Sequence, residues 1–267
     1  SPRMIQPAAL SMEDVDAVVP FETPGLASGI GSGTLDLDRV RANPFNQKVA
    51  DQVMRVMRAS GVIAPEFAFQ VGSGAGLVVL DSLRSELRSQ GIVAGMAIGG
   101  VTSLHVDMLQ EGTLRHLLHG QLFEPSEKVV QSLLHDAGHV EITAGYYASL
   151  AGKEAAVNLL DVAVLSALEV DRQFNLNTVC AGGRIVGGIG GGQDVAAGAA
   201  LTIIFLPLAS GKDGKGFPKV VDQVYTRTTP GEVVDVVVTD GGVSVNPQSS
   251  SPHLPRLLEE AARHGLD

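Results

Sequence analysis

The sequence predicts an α/β fold in which a largely parallel sheet is flanked by helices. Three observations carry this expectation. Strand-like runs give way to glycine turns and then to helix-periodic runs, twice in succession before residue 120. Three further β-rich runs follow toward the C-terminus: LTIIFLPL (201–208), KVVDQVYT (219–226) and EVVDVVVT (232–239). The 267-residue chain is 45% hydrophobic and 18% charged, enough for one large core or two small ones.

Residues 1–36 show little periodicity and are expected to form an N-terminal linker, with VDAVV (15–19) as an edge strand. The α/β domain is expected to span 37–267. Asn43-Pro44 is a helix start, proline being tolerated in the first turn. Val49, Val53, Val56 and Met57 follow with helical spacing, and Gly61 ends the run. Residues 67–71 read as a strand that opens into Gly72-Ser73-Gly74-Ala75-Gly76. Leu77, Leu80, Leu83 and Leu87 then mark a helix closed by Gly91. Residues 93–98 read as the next strand, Gly99-Gly100 as its turn, and Leu114, Leu117 and Leu118 as a following helix. LLDVAVLSALEV (159–170) is a buried strand, residues 196–209 a helix end plus a buried strand, and Leu254, Leu257, Leu258 and Ala261 carry the last helix.

Bulk chemistry excludes several functions. Net charge is −10 with no basic run, which argues against nucleic-acid binding, since phosphates require a positive footprint. No apolar run reaches the ~18 residues of a membrane span. The lone Cys180 forms no internal disulfide framework, fits a reducing cytoplasm, and reads as a small buried thiol. No signal peptide is visible, and a first residue of Ser is expected to reflect excision from a longer chain.

The 32 glycines exceed the ~7% typical of globular chains, and they cluster. Between 182 and 198 lie Gly182, Gly183, Gly187, Gly188, Gly190, Gly191, Gly192 and Gly198. Glycine at that density permits backbone shapes closed to other residues, and bare N–H groups can then crowd around an anion or a developing oxyanion. Glu169, Asp171, Asn175 and Asn177 precede the cluster; strand alternation puts 169 and 171 on one face, where both can point into one cleft or can cap strands and pair with Arg172 and Arg184.

Other motifs fail on spacing. Residues 72–76 read G-x-G-x-G, not the dinucleotide G-x-G-x-x-G, and fit a tight turn lining a thioester site. No P-loop and no G-x-S-x-G elbow exists, and Gly31-Ser32-Gly33 stands without a triad. His116 with His119, and His135 with His139, have helical spacing but no H-E-x-x-H and no set carboxylate, so no metal is expected. The first pair reads as a solvated helix face, and His139 as a strand residue facing a cleft.

At these residues the chain resembles the α subunit of citrate lyase, within the wider CoA-transferase superfamily. VLSALEVDRQFNLN resembles that family's L-S-A-x-E-[IV]-D-x-x-F-N-V-N, and GGIGGGQDVAAGAALTII its glycine segment followed by D-T-A-A-G-A-x-L-T-I-I. TRTTPGEVVDVVVTDGGVSVNP resembles T-T-P-G-x-x-V-D-V-x-V-T-x-x-G-I-A-V-N-P, and FQVGSGAG, IGGVTSLHVDMLQEG and HVEITAGYY fit in order. The resemblance covers residues 15–265 and only the C-terminal half of the family protein.

It implies a CoA-transferase-like α/β fold and exchange of acetyl for citrate on the phosphoribosyl-dephospho-CoA arm of an acyl carrier protein, or on acetyl-CoA. It implies no tightly bound cofactor, an oligomer, and three protein partners: the acyl carrier protein, the citryl lyase subunit and the N-terminal half. Elsewhere in the superfamily a glutamate attacks the thioester. Alignment through HVDMLQEG puts Asp107 there; citrate-lyase-type members also carry Asp and let citrate's own carboxylate attack. The catalytic groups so implied are Asp107, Glu169 and the amides of Gly190 and Gly191. Gly72, Gly74, Gly99, Gly100, Asn175, Asn177, Gly188 and Gln193 are the implied substrate and thioester contacts. Because citrate is an anion, Arg115, Arg172, Arg184 and Arg227 are the cations to look for near the cleft. Family members commonly carry G-G-x-S-G-G-H-S-D where this chain has GGIGGGQD, with Ile189 for a small residue and Gly192-Gln193 for His-Ser. That departure leaves malonate or another carboxylate open as acceptor, and a non-catalytic acyl-CoA-binding half as the rival.

Overall fold

Helix start and stop signals in the sequence act where they stand. In the computed structural model, which describes residues 12–20, 36–122, 124, 126–149, 152–181, 184–211 and 216–265, Asp36 accepts from the Arg39 amide and caps α1 (Leu37–Arg41). Asn43 accepts from the Phe45 amide at 3.0 Å and Pro44 takes the first turn of α2 (Pro44–Ser60). Gly61, at φ 71°, ends it in the left-handed conformation that glycine adopts without cost. Strand β1 (Ala68–Val71) then feeds α3 (Gly76–Gln90), β2 (Ala94–Val101), α4 (Ser103–Gln110) and β3 (Leu114–Leu122). Next come α5 (Glu127–His135), β4 (His139–Glu141), α6 (Ala144–Ala148), a 3-10 turn (Ala156–Leu159) and β5 (Val162–Ser166).

The C-terminal part holds β6 (Glu169–Asp171), β7 (Leu176–Asn177), β8 (Cys180–Ala181), β9 (Arg184–Ile185), α7 (Gly192–Gly198) and β10 (Leu201–Phe205). It closes with β11 (Val220–Val221), β12 (Val236–Thr239), β13 (Gly242–Val245) and α8 (Leu254–His264). The main sheet runs β13-β12-β10-β5-β1-β2-β3-β4, and every pairing except β12 with β13 is parallel. A small sheet, β11-β6-β7, and the hairpin β8-β9 sit beside it.

Alternation along each strand sends residues to two unlike faces. Phe69, Val71, Val162, Val164, Ile203 and Val236 join Val49, Val53, Val56 and Met57 of α2 and Leu80, Leu83 and Leu87 of α3 in one continuous core. Burying one such side chain stabilises by about 1.5–3 kcal/mol. On the other face Ala68, Ile98 and Ala163 meet Ile142, residues 155–157, Leu160 and Val195, with Met96, Leu118, Tyr147, Ala148, Leu165 and Ala199 partly buried against them. That face is thin, and it leaves room for a cleft.

Several sequence expectations are corrected. Leu114, Leu117 and Leu118 lie in β3, not in a helix; the connecting helix is α4, whose N-terminus carries a Thr102–His105 capping box. Adjacent Leu117 and Leu118 lie on opposite faces of β3, and with Leu114 they make an i, i+3, i+4 set that mimics helical spacing. Gly99 and Gly100 belong to β2, at a register shift against β3, so the turn comes after Val101. Residues 15–19 form no strand: Met12–Asp14 is a 3-10 turn and Val18 and Val19 are exposed. The 159–170 run splits between β5 and β6, and only Val220–Val221 of the 219–226 run pairs. Gly31-Ser32-Gly33, Gly182 and Gly183 lie outside the described residues.

Candidate active site

Strand order reverses between β1 and β5, and a doubly wound sheet binds its ligands beyond the carboxyl ends of the strands at that point. A cleft of about 610 Å³ occupies this position. Its floor is Gln70 of β1 with Gly72 and Ser73 just beyond it, Gly99 and Gly100 from β2, and Leu165 and Ser166 from β5. Gly120 and Gln121 of β3 form one side, with Tyr147 and Ala148 of α6 above them. Residues 189–192, with Asp194, form the roof; Thr178 and Thr229 close the far end.

Glycine is required at particular places here. Gly99 has φ +103°, and a Cβ on it would lie 2.8 Å from Gln70 Cδ. Gly190 has φ +57°, and a Cβ on Gly191 would lie 2.9 Å from Tyr147 Cε1. The Gly72 amide donates to Val164 O at 2.8 Å, which ties the β1 turn to β5. Bare backbone therefore reaches the cleft at Gly72, Gly99, Gly100, Gly120 and residues 190–192.

Among the described residues lining the cleft, Asp194 is the single charged side chain. Burial pushes its carboxyl above the usual carboxylate range. Tyr147 is raised as well, first by burial and further by Asp194, against the lowering effect of its Gln70 hydrogen bond.

The structure brings Gly72, Gly99, Gly100, Gly190 and Gly191 into the cleft and leaves the other expected residues outside it. Gly74 (φ +69°) and the exposed Gly188 stand beside it without lining it, as does half-buried Gln193. Asp107 is in the outer helix layer, paired with Lys128 of α5 and, at 3.4 Å, with Arg84 of α3. Glu169 accepts from Asn177 Nδ2 at 2.7 Å and lies in the small sheet. Asn177 is fully buried, and its Oδ1 accepts from the Val179 and Cys180 amides. Asn175 donates to Asp171 Oδ2 and accepts from the Gly231 amide. Asp171 also accepts from the amides of Gln173 and Asn175, so it organises a turn. The acid pair is thus turned to local bonding because β6 belongs to the second sheet.

None of the four arginines lines the cleft. Arg115 pairs with Glu66 at 2.7 Å and Arg172 with Asp222 at 2.8 Å, while Arg184 and Arg227 are exposed. The histidines are corrected too. His116 and His119 are strand residues, and His119 and His139 are buried, with rings 5.1 Å apart. His139 meets Ser132 of α5 at 2.9 Å instead of facing the cleft, and burial lowers its pKa to about 4. Among the described residues no group of three or more His, Cys, Asp or Glu is placed to hold a metal, and no helix is long and apolar enough to cross a membrane. Cys180 is the small buried thiol the sequence predicts.

Sequence reasoning missed Asp194, Gln70 and Tyr147 as cleft residues. Asp194 ends the GGGQD run, three residues beyond Gly191, and that adjacency was the available signal. Gln70 and Tyr147 meet across 77 residues, and no local pattern reports such a pair.

The fold and its switch-point cleft define a doubly wound α/β protein with a ligand cleft at the carboxyl ends of its strands. Comparison narrows this further. The family described as citrate lyase, alpha subunit (CitF), matches residues 3–262, and the chain belongs to that family. The citrate lyase alpha chain of Escherichia coli (strain K12) is 39% identical over 257 residues, covering 96% of this chain and 48% of that protein. The Klebsiella pneumoniae citrate lyase alpha chain is 39% identical over 243 residues, covering 90% and 46%. A citrate lyase alpha-subunit structure from Streptococcus mutans, in complex with citrate, superposes with a TM-score of 0.81 at 35% identity. It is covered to 50%, and this chain to 99%. RipA from Yersinia pestis, at 15% identity and TM-score 0.59, shares the fold. The chain spans about half the length of the curated relatives it matches.

Proposed function

We propose that this chain forms one wall of a transferase that exchanges acetyl for citrate on an acyl-carrier or CoA thioester, releasing acetate. The observation that carries this reading is the glycine-lined cleft at the switch point, where the amides of Gly190 and Gly191 can serve a developing oxyanion. A citrate carboxylate oxygen attacks the acetyl carbonyl carbon, and the carbonyl π pair moves onto oxygen. Collapse of that oxyanion expels the thiolate and leaves an acetyl-citryl anhydride. The thiolate then attacks the citryl carbonyl, and acetate departs with the bonding pair. Charge and atoms balance without an enzyme nucleophile.

Asp107 and Glu169 therefore act outside the reacting atoms. Asp107 holds α4 to α3 and α5, and Glu169 holds the small sheet through Asn177. Asp194 is the acid that matters. Protonated, it donates to a citrate carboxylate; ionised, it repels one. The cations that neutralise citrate come from the region of the relatives this chain does not span, which supplies the facing wall. Ile189, which lines the cleft and is exposed, is apolar surface that this wall covers. The acyl carrier protein's arm enters as substrate, and the lyase subunit takes the citryl thioester. Supplying this chain with that remaining region, acetyl-CoA and citrate is expected to yield citryl-CoA by mass spectrometry. Saturable acyl-CoA binding without citryl-CoA would overturn the proposal.

A further inference from the structure

Gly190 and Gly191, the latter the N-cap of α7, have more backbone freedom than an oxyanion site tolerates, because donors stabilise charge only when held in place beforehand. Something outside the loop must fix it. Gly191 lies against the ring edge of Tyr147, with Ala148 Cβ also within reach of a Cβ there at 3.2 Å. The same ring packs over Gly120, where a Cβ would meet Tyr147 Cδ1 at 3.5 Å. Tyr147 packs against the Ala68, Ile98 and Ile142 cluster, and its hydroxyl is held by Gln70. Gln70 Nε2 donates to its hydroxyl at 2.8 Å, and the hydroxyl donates to Gln70 Oε1 at 3.1 Å.

That reciprocal pairing has a chemical consequence. The phenolic proton and one lone pair of Tyr147 are both spent on Gln70, so the ring and not the hydroxyl faces the loop. Gln70 itself is 8% exposed and rises from β1 through the space that Gly99 leaves by lacking a Cβ. The chain of contacts runs from the central strand β1 through Gln70 and Tyr147 to Gly191. A central strand thereby sets the position of the glycine turn that starts α7.

We infer that Tyr147, locked by Gln70, is the positioning residue that braces the Gly190-Gly191 turn at the start of α7 for acyl transfer. The inference rests on the transfer reaction proposed above, and its test separates the two. In the assembled transferase, with the remaining region of the relatives supplied, Tyr147→Phe keeps the ring and loses the hydroxyl. The kcat for thioester exchange is expected to fall about 10-fold, with KM for both substrates within about twofold, as befits donors misaligned only toward the transition state. Gln70→Leu is expected to match it, and the double variant to be no worse than either single. Gln70→Glu, which still accepts the phenolic proton, recovers most of the lost kcat. In the chain alone, amide hydrogen exchange at 187–194 speeds up in Tyr147→Phe and Gln70→Leu while β1 and β5 stay protected. Wild-type kcat, or wild-type loop exchange, in the folded variants overturns the inference. If the assembled wild type makes no citryl thioester the proposed reaction fails, and the exchange measurement still decides whether Tyr147 braces the loop.

Discussion

One face of the sheet carries α2, α3 and α8 over a continuous layer of Val, Leu, Phe and Met, while the other offers Ala68, Ala163 and glycines beneath short helices. The first face maximises buried area. The second gives up that area to keep a cavity and to let backbone reach it. Stability and chemistry are thus assigned to opposite sides of the same strands, and substitutions should separate along that division.

The largest effect is expected on the cleft side. Gly191→Ala places a Cβ 2.9 Å from Tyr147 Cε1 and shifts the loop. Losing one oxyanion donor costs about 10²–10³ in kcat. Calorimetry of the same variant should show a stability change below about 1 kcal/mol. On the packed face, Leu83→Ala empties a fully buried site and is expected to cost about 2–5 kcal/mol in urea unfolding, with KM unchanged once folded. A Leu83→Ala variant that changed citrate KM would break the division.

Acid is expected to weaken the β3–β4 side before the rest. Burial lowers His105 and His139 to about 4, well below the value of an unfolded chain near 6.5. Between those values the unfolded state binds more protons, so stability is full above pH 6.5 and falls as pH drops toward 4. A shift of that size is on the order of 3 kcal/mol for one group. Chemical denaturation at pH 7 and pH 5 checks the sign, and replacing His139 with Gln should flatten part of the slope.

Asp194 gives a smaller and opposite dependence, on binding. Its raised pKa keeps it protonated to higher pH, so citrate KM should rise a few-fold as pH climbs through that value. Asp194→Asn should remove this component and leave citrate's own titration. The smallest effect belongs to Asp107→Asn, a partly exposed pair with Arg84 and Lys128. It is expected to change stability by less than about 1 kcal/mol and kcat hardly at all.

The packed face was legible in the sequence because burial on one side of a helix prints a period. The spacing of Val49, Val53 and Val56 and of Leu80, Leu83 and Leu87, with caps at Asn43, Gly61 and Gly91, located α2 and α3 closely. β3 was misread because Leu117 and Leu118 lie on opposite faces, so with Leu114 the three leucines carry no period of two. In the site, glycines were legible because few other reasons explain them. The acids were not: Glu169 and Asp171 have the spacing of a paired site, but β6 joins a separate sheet and turns them to amides nearby. Asp194 was hidden among small residues, and the Gln70–Tyr147 pair exists only once β1 and α6 are folded together.

The most direct test of the division is citryl-thioester formation by wild type and by Gly191→Ala, each assembled with the region its relatives carry in addition. Mass spectrometry should find citryl-CoA from acetyl-CoA and citrate with the wild type, and about 10²-fold less with a fully folded Gly191→Ala. Equal product from both proteins would contradict the placement of acyl transfer in this cleft.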